Sequence, residues 1–257
     1  MKAPNGLIYY RQGQGTETLL LHPSLGLGRF LFHRVAPLLS ASFSVITWDP
    51  RGVGDQRSMI PSLDGWIADV KSLLQLVEGP VHLLGVSLGT WVMGRVAVES
   101  VERVASLVLM GSTLGFSDGA AEVSARRQQL GEIGMAEFGR QYAASTLWHE
   151  TQTEVRDNLA MELATVQPES YLASMHAIYT EDNAEVFQGI ACPTLILVGA
   201  ADRRTPPGDA DRVADTVVGS DMRVIPRAGH LAVLDQPQRV ADMVSQFCRF
   251  KGAAPLL

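Results

Sequence analysis

"HLLGVSLGTW", residues 82–91, sets a serine between two glycines at the end of an apolar run. A Gly-x-Ser-x-Gly match alone arises by chance in roughly one chain in six or seven of this glycine content, so its setting has to carry the reading. The run "VHLLGV" (81–86) reads as a strand, and "SLGTWVMGRVAVES" (87–100) has the length and composition of a helix. Ser87 then falls on a sharp strand-to-helix turn, where Gly85 and Gly89, without Cβ atoms, let the crowded backbone close. A serine at a helix N-terminus also faces unpaired backbone N–H groups, which favour developing negative charge.

Working outward, "TLLLH" (18–22), "FSVITWD" (43–49), "VASLVLMG" (104–111) and "PTLILVG" (193–199) are further short, nearly continuous hydrophobic runs. Such runs suit strands of a parallel sheet covered on both faces. Between them "GWIADVKSLLQLV" (65–77) repeats Trp66, Ile67, Val70, Leu73, Leu74 and Val77 at helical spacing, giving one apolar face. Alternating strands and helices predict an α/β chain with right-handed crossovers and a mostly parallel, doubly wound sheet.

The alternation stops between 112 and 190, where helical patterns such as "EVRDNLAMELATV" (154–166) dominate. The expected organisation is therefore a core of residues 1–111 and 191–257 with a helical cap of residues 112–190 inserted into it. The cap carries Phe116, Phe138, Tyr142, Trp148, Tyr171 and Tyr179, more aromatic surface than a short helical segment needs for itself, so some of it should line a pocket. The terminal "KGAAPLL" reads as a loose tail.

Composition excludes several classes. The 257 residues are 46% hydrophobic and 19% charged with a net charge of −6, which is globular and argues against a nucleic-acid partner. "MKAPNGLIYY" lacks the apolar stretch of a signal peptide and no run is long enough to span a bilayer, so no membrane partner and a cytoplasmic location are expected. Cys192 and Cys248 read as small buried hydrophobes rather than a disulfide. The six histidines form no ligand-spaced cluster, so neither a metal nor a cofactor is expected. "GQGTE" and "GLGRF" fall short of the Gly-x-Gly-x-x-Gly of a dinucleotide fold.

A nucleophilic serine needs a base and an acid that orients the base. "LILVGAADRRTPP" puts Asp202 just past a strand, and "VIPRAGHLAVLDQP" puts His230 in a loop between the short strand "MRVI" and a helix beginning near Pro237. Both belong at the carboxyl edge of a parallel sheet, in the order serine, acid, histidine. Asp209 and Asp235 stand as alternative acids.

"HPSLG" (22–26), "WDPRGVG" (48–54), "GVSLG" (85–89), "GAADRRTPP" (199–207) and "AGHLAVLDQP" (228–237) together resemble the α/β-hydrolase superfamily over nearly the whole chain, and the stretch "PESYLASMHAIYTEDNAEVFQGIACPTLILVGAADRRTPP" (168–207) with the "SLG" of the first loop (24–26) most resembles its 3-oxoadipate enol-lactonases. The resemblance implies the α/β-hydrolase fold, with Ser87 as nucleophile, Asp202 as acid and His230 as base. It implies an oxyanion hole made of the Leu88 N–H and a second backbone donor after the first long strand. There Pro23 replaces a common glycine and has no N–H, which leaves Ser24, or Leu25 if the loop is offset by one. In "DPRGVGDQR" Val53 replaces a common histidine, and Asp49 and Arg51 are expected to hold the loop. Leu25, Tyr142, Trp148 and Leu231 are the expected pocket residues. Arg126, Arg127, Arg140 and His149 are the cap cations available to a carboxylate-bearing lactone. The implied activity is hydrolysis of a small-molecule ester or lactone through an acyl-enzyme. A carbon–carbon bond hydrolase and a cofactor-free perhydrolase would use the same three residues, and a non-catalytic ligand sensor could share the fold.

Overall fold

The computed structural model describes residues 1–250; the "KGAAPLL" stretch at 251–257 lies outside the described residues. Among the described residues seven strands form one sheet: β1 (Tyr9–Gln12), β2 (Thr18–His22), β3 (Ser44–Trp48), β4 (Val81–Val86), β5 (Val104–Met110), β6 (Thr194–Gly199) and β7 (Asp221–Ile225). Their order across the sheet is β1-β3-β2-β4-β5-β6-β7, and every pair is parallel except β1 with β3. β2, β3, β4 and β6 are buried at every residue, which explains why they read as continuous apolar runs. β1 is missing from the sequence reading because only Tyr9 of "YYRQ" is buried, as befits an edge strand.

Among the described residues ten α-helices accompany the sheet: α1 (Ala36–Leu39), α2 (Leu63–Leu74), α3 (Leu88–Glu99), α4 (Gly119–Thr146), α5 (Thr153–Ala164), α6 (Pro168–Tyr179), α7 (Ala184–Gln188), α8 (Pro207–Thr216), α9 (Ala232–Asp235) and α10 (Pro237–Phe250). α2 begins at a Ser62 cap whose hydroxyl accepts the Gly65 N–H at 3.1 Å, and its buried face is the predicted Trp66, Ile67, Val70, Leu73 and Leu74 row. α4 to α7 all lie between β5 and β6, and α4 is broken at Gly134 (φ 69°, ψ 169°). Cys248 is buried on α10, whereas Cys192, in the loop before β6, is only half-buried, and among the described residues the two form no disulfide. Among the described residues no helix is long and apolar enough to cross a membrane.

The chain leaves β2 toward β3 on one side and returns to β4 on the other, so β2 and β4 are parallel neighbours whose outgoing loops diverge. Such a reversal opens a crevice at the carboxyl ends of the strands. His22 pairs with Gly85 across that boundary, which brings the loops bearing Ser24 and Ser87 side by side.

Candidate active site

Ser87 has φ 52° and ψ −113°, one of two non-glycine residues with positive φ among the described residues. This is the strained turn that the strand-to-helix reading requires. The strain is held by neighbours: the Ser87 N–H donates to the Met110 carbonyl at 2.8 Å, and its carbonyl accepts the Thr90 N–H at 2.8 Å and the Thr90 hydroxyl at 2.6 Å. A Cβ on Gly85 would lie 2.2 Å from the Gly89 carbonyl oxygen, and one on Gly89 would lie 2.3 Å from that of His22. The first glycine therefore admits the start of α3, and the second admits the loop after β2.

Leu88 opens α3, so its N–H has no carbonyl within the helix to bond. Ser24 is buried beside it, and the Ser24 hydroxyl has no hydrogen-bond partner among the described residues. The Ser24 loop is shaped by His22, whose Nδ1–H donates to the Pro23 carbonyl at 3.0 Å. Burial pushes the His22 pKa down to about 4 although this hydrogen bond opposes the shift.

Asp202 follows β6. Its Oδ1 accepts the N–H groups of Arg204 and Thr205 at 2.8 and 3.0 Å, and its Oδ2 lies 2.8 Å from His230 Nδ1. The Thr205 hydroxyl donates to Asp202 Oδ2 at 3.0 Å and stands 3.2 Å from the same imidazole nitrogen. Burial pushes the Asp202 pKa up, but the opposing charge and hydrogen bond of His230, with the two backbone donors, outweigh it and hold the carboxyl below the usual range. The two other acids considered for this position are engaged elsewhere. Asp235 accepts the N–H groups of Gly229 and Trp148 at 2.8 and 3.1 Å, and Asp209 pairs with Arg212.

Ser87 and His230 line one narrow cavity of about 40 Å³, with Ser24, Leu25, Leu88 and Tyr142 among its other walls. Ser87 Oγ has no hydrogen-bond partner among the described residues. Of the aromatics between β5 and β6, Phe116, Tyr142, Tyr171 and Tyr179 reach the cavity, while Phe138 packs edge-on behind Tyr171 with centroids 5.2 Å apart. Trp148 and Leu231 do not line it. The Trp148 ring lies against His149 and its Nε1–H donates to Glu150, while Leu231 turns into the core at the start of α9. A wider groove of about 600 Å³, walled by Tyr10, Arg29, His33 and Glu162, shares no lining residue with the Ser87 cavity.

Sequence reasoning missed two features. Gly111, at the end of β5, has φ +64°, and a Cβ there would lie 3.0 Å from His230 Cε1, so glycine makes room for the imidazole. Arg204 lines the cavity from the loop after β6, whereas Arg127, Arg140 and His149 are exposed and Arg126 stacks over Phe138 at 4.7 Å. The sequence signal for Arg204 is its place two residues after Asp202, outside the segment 112–190 that holds the candidate cations. Asp49 and Arg51 do not pair with each other: Asp49 accepts the Arg29 and Asp55 N–H groups, and Arg51 grips Asp69 through two hydrogen bonds of 2.8 and 2.9 Å.

The sequence profile of the alpha/beta hydrolase family matches residues 19–243. Among its relatives, 3-oxoadipate enol-lactonase 2 of Acinetobacter baylyi is 26% identical over 90% of this chain and 89% of its own length. A Mycobacterium tuberculosis protein bearing the name non-heme bromoperoxidase is 27% identical over 94% of this chain and 97% of its own. The crystal structure of the enol-lactonase from Burkholderia xenovorans LB400 superposes with a TM-score of 0.88 at 19% identity, covering 96% of this chain and 98% of that one, a likeness of fold.

Proposed function

Because the chain belongs to the alpha/beta hydrolase family, we propose that it is a serine hydrolase that cleaves a small carboxylic ester or lactone with Ser87, His230 and Asp202. The observation that carries this reading is the 2.8 Å contact between Asp202 Oδ2 and His230 Nδ1 at the wall of the cavity that Ser87 also lines. With Nδ1–H committed to Asp202, the other imidazole nitrogen, Nε2, is the basic one.

In the first step His230 Nε2 takes the Ser87 proton as Oγ attacks the carbonyl carbon. The N–H groups of Leu88 and Ser24 stabilise the oxyanion, and collapse expels the alcohol, which receives its proton from His230. Water, deprotonated by His230, then attacks the acyl-enzyme and releases the acid and Ser87. Residues 112–190 act in this reading as a cap that selects the substrate, and the enzyme works in the cytoplasm on a small molecule, without a cofactor.

A second reading, a cofactor-free perhydrolase, draws on the relative named as a bromoperoxidase. It keeps the acyl-enzyme but uses hydrogen peroxide in place of water as the acyl acceptor, releasing a peracid.

A serine-reactive organophosphonate, followed by intact-mass measurement, tests the common core. It should add one adduct to the wild type and none to Ser87→Ala; equal labelling of the two refutes the assignment. Hydrolysis of a panel of aryl esters and enol-lactones, with and without peroxide, then separates the two acceptors.

A further inference from the structure

The polar lining of the Ser87 cavity is rich in donors and holds no carboxylate. Arg204 enters it from the loop after β6, and among the described residues no Asp or Glu lines it. The Arg204 guanidinium is fixed twice: its Nε–H donates to the Thr146 hydroxyl at 2.8 Å, and its carbon lies 4.1 Å from the centroid of the Tyr142 ring. These contacts leave its two outer nitrogens without an acceptor, and among the described residues Arg204 forms no ion pair. A half-buried, oriented guanidinium with no counter-ion is an unfavourable arrangement unless something else supplies the negative charge.

The surroundings point the same way. Burial pushes the Tyr171 hydroxyl far up and that of Tyr179 up to about 12, although the positive charges of Arg126 and Arg204 pull both down. Both phenols therefore stay protonated and can donate. The unpartnered Ser24 hydroxyl adds a further donor on the opposite loop. A planar fork of N–H groups beside phenolic and serine hydroxyls is complementary to a carboxylate.

We propose that Arg204 binds a carboxylate carried by the substrate, so that the ester or lactone opened at Ser87 is an acidic one, a hemiester or a lactone with a free carboxylate. This inference rests on the hydrolase reading for the reaction, but the anion site can be tested without it. If Arg204 only fastened its loop to the end of α4, charged and neutral substrates would be affected alike by its loss.

Mono-p-nitrophenyl esters of short dicarboxylic acids and their methyl-capped counterparts provide the comparison. The wild type should favour the free acids in kcat/KM, and Arg204→Gln should lower that preference by about tenfold or more, chiefly through KM, with Arg204→Lys retaining part of it. Wild-type indifference to the carboxylate, or an equal loss on both esters, overturns the proposal. Should no ester be cleaved and Ser87 stay unlabelled, the hydrolase reading fails by itself. Calorimetric binding of succinate, glutarate and adipate then decides the anion site: binding abolished by Arg204→Gln upholds it, and absent or Arg204-independent binding overturns it.

Discussion

The backbone N–H of His230 donates to the carbonyl of Thr146 at 2.9 Å, so the loop that carries the proposed base is moored to the last turn of α4. The approach depends on the preceding residue, because a Cβ on Gly229 would lie 2.2 Å from that same carbonyl oxygen. The Thr146 hydroxyl meanwhile accepts from Arg204. The helical segment between β5 and β6 is thereby part of the scaffold that positions His230 and Arg204.

Gly229→Ala should therefore push the His230 loop off α4. A displacement near 1 Å at a catalytic base lowers kcat by about 10²-fold, and the steric conflict costs about 1–3 kcal/mol of stability. Urea unfolding and initial rates on one aryl ester measure both. A variant with unchanged kcat would show that the mooring does not position the base.

Asp202 and Asp235 both lie near His230, but they should behave differently. Asp202→Asn removes the acceptor of the Nδ1–H and should lower kcat by about 10³–10⁴ with little change in fold. Asp235→Asn weakens the acceptor of the Gly229 and Trp148 N–H groups, two steps from the chemistry, and should act mainly on stability. Parallel losses of kcat in the two variants would assign Asp235 a share in the acid's role.

His22 gives a pH signature in stability. Its folded pKa, about 4, lies below the ordinary value of 6.5 because burial disfavours the imidazolium, so between those two pH values the unfolded chain binds a proton that the native chain does not. Stability is full above the unfolded pKa and falls as pH drops through this window, by about 2–3 kcal/mol at pH ~4.5. Asp202, held below the usual carboxylate range, loses its contribution only at still lower pH, so the windows do not coincide. His22→Asn, which keeps a donor for the Pro23 carbonyl, should flatten the profile between pH 6.5 and 4.5 in urea titrations. Parallel profiles for variant and wild type would exclude a buried neutral His22.

The parallel sheet was legible because strands covered on both faces must be apolar throughout, as Leu19, Leu20 and Leu21 are in β2. The pairing of Asp202 with His230 was legible only as two loops at one sheet edge. Choosing Asp202 over Asp235 requires knowing which carboxylate faces the imidazole, and that depends on long-range packing. Gly111 was illegible for the same reason, since its role is to admit a ring from a residue more than a hundred positions away. Trp148 shows the limit of composition: an aromatic residue in the right segment lies away from the cavity, its ring tilted against that of His149.

The walls of the Ser87 cavity lead to the last prediction. At about 40 Å³ it is narrow, so the bulk of the α4 and α6 side chains on its walls should limit which acyl groups fit. Ile178, buried on α6 and lining the cavity, is the branched side chain whose removal should relieve this most directly. Ile178→Ala should shift the kcat/KM ratio of butyryl over acetyl p-nitrophenyl esters in favour of the longer chain by the ~1–3 kcal/mol of an altered pocket contact, about tenfold or more. Trp148→Ala, remote from the cavity, should leave that ratio within about twofold while altering the loop around Glu150. Initial rates across acetyl, butyryl and hexanoyl esters, with both variants checked for folding, give the comparison. If Trp148→Ala moved the ratio and Ile178→Ala did not, substrates would be approaching Ser87 from a different side, past Trp148 and not along α6.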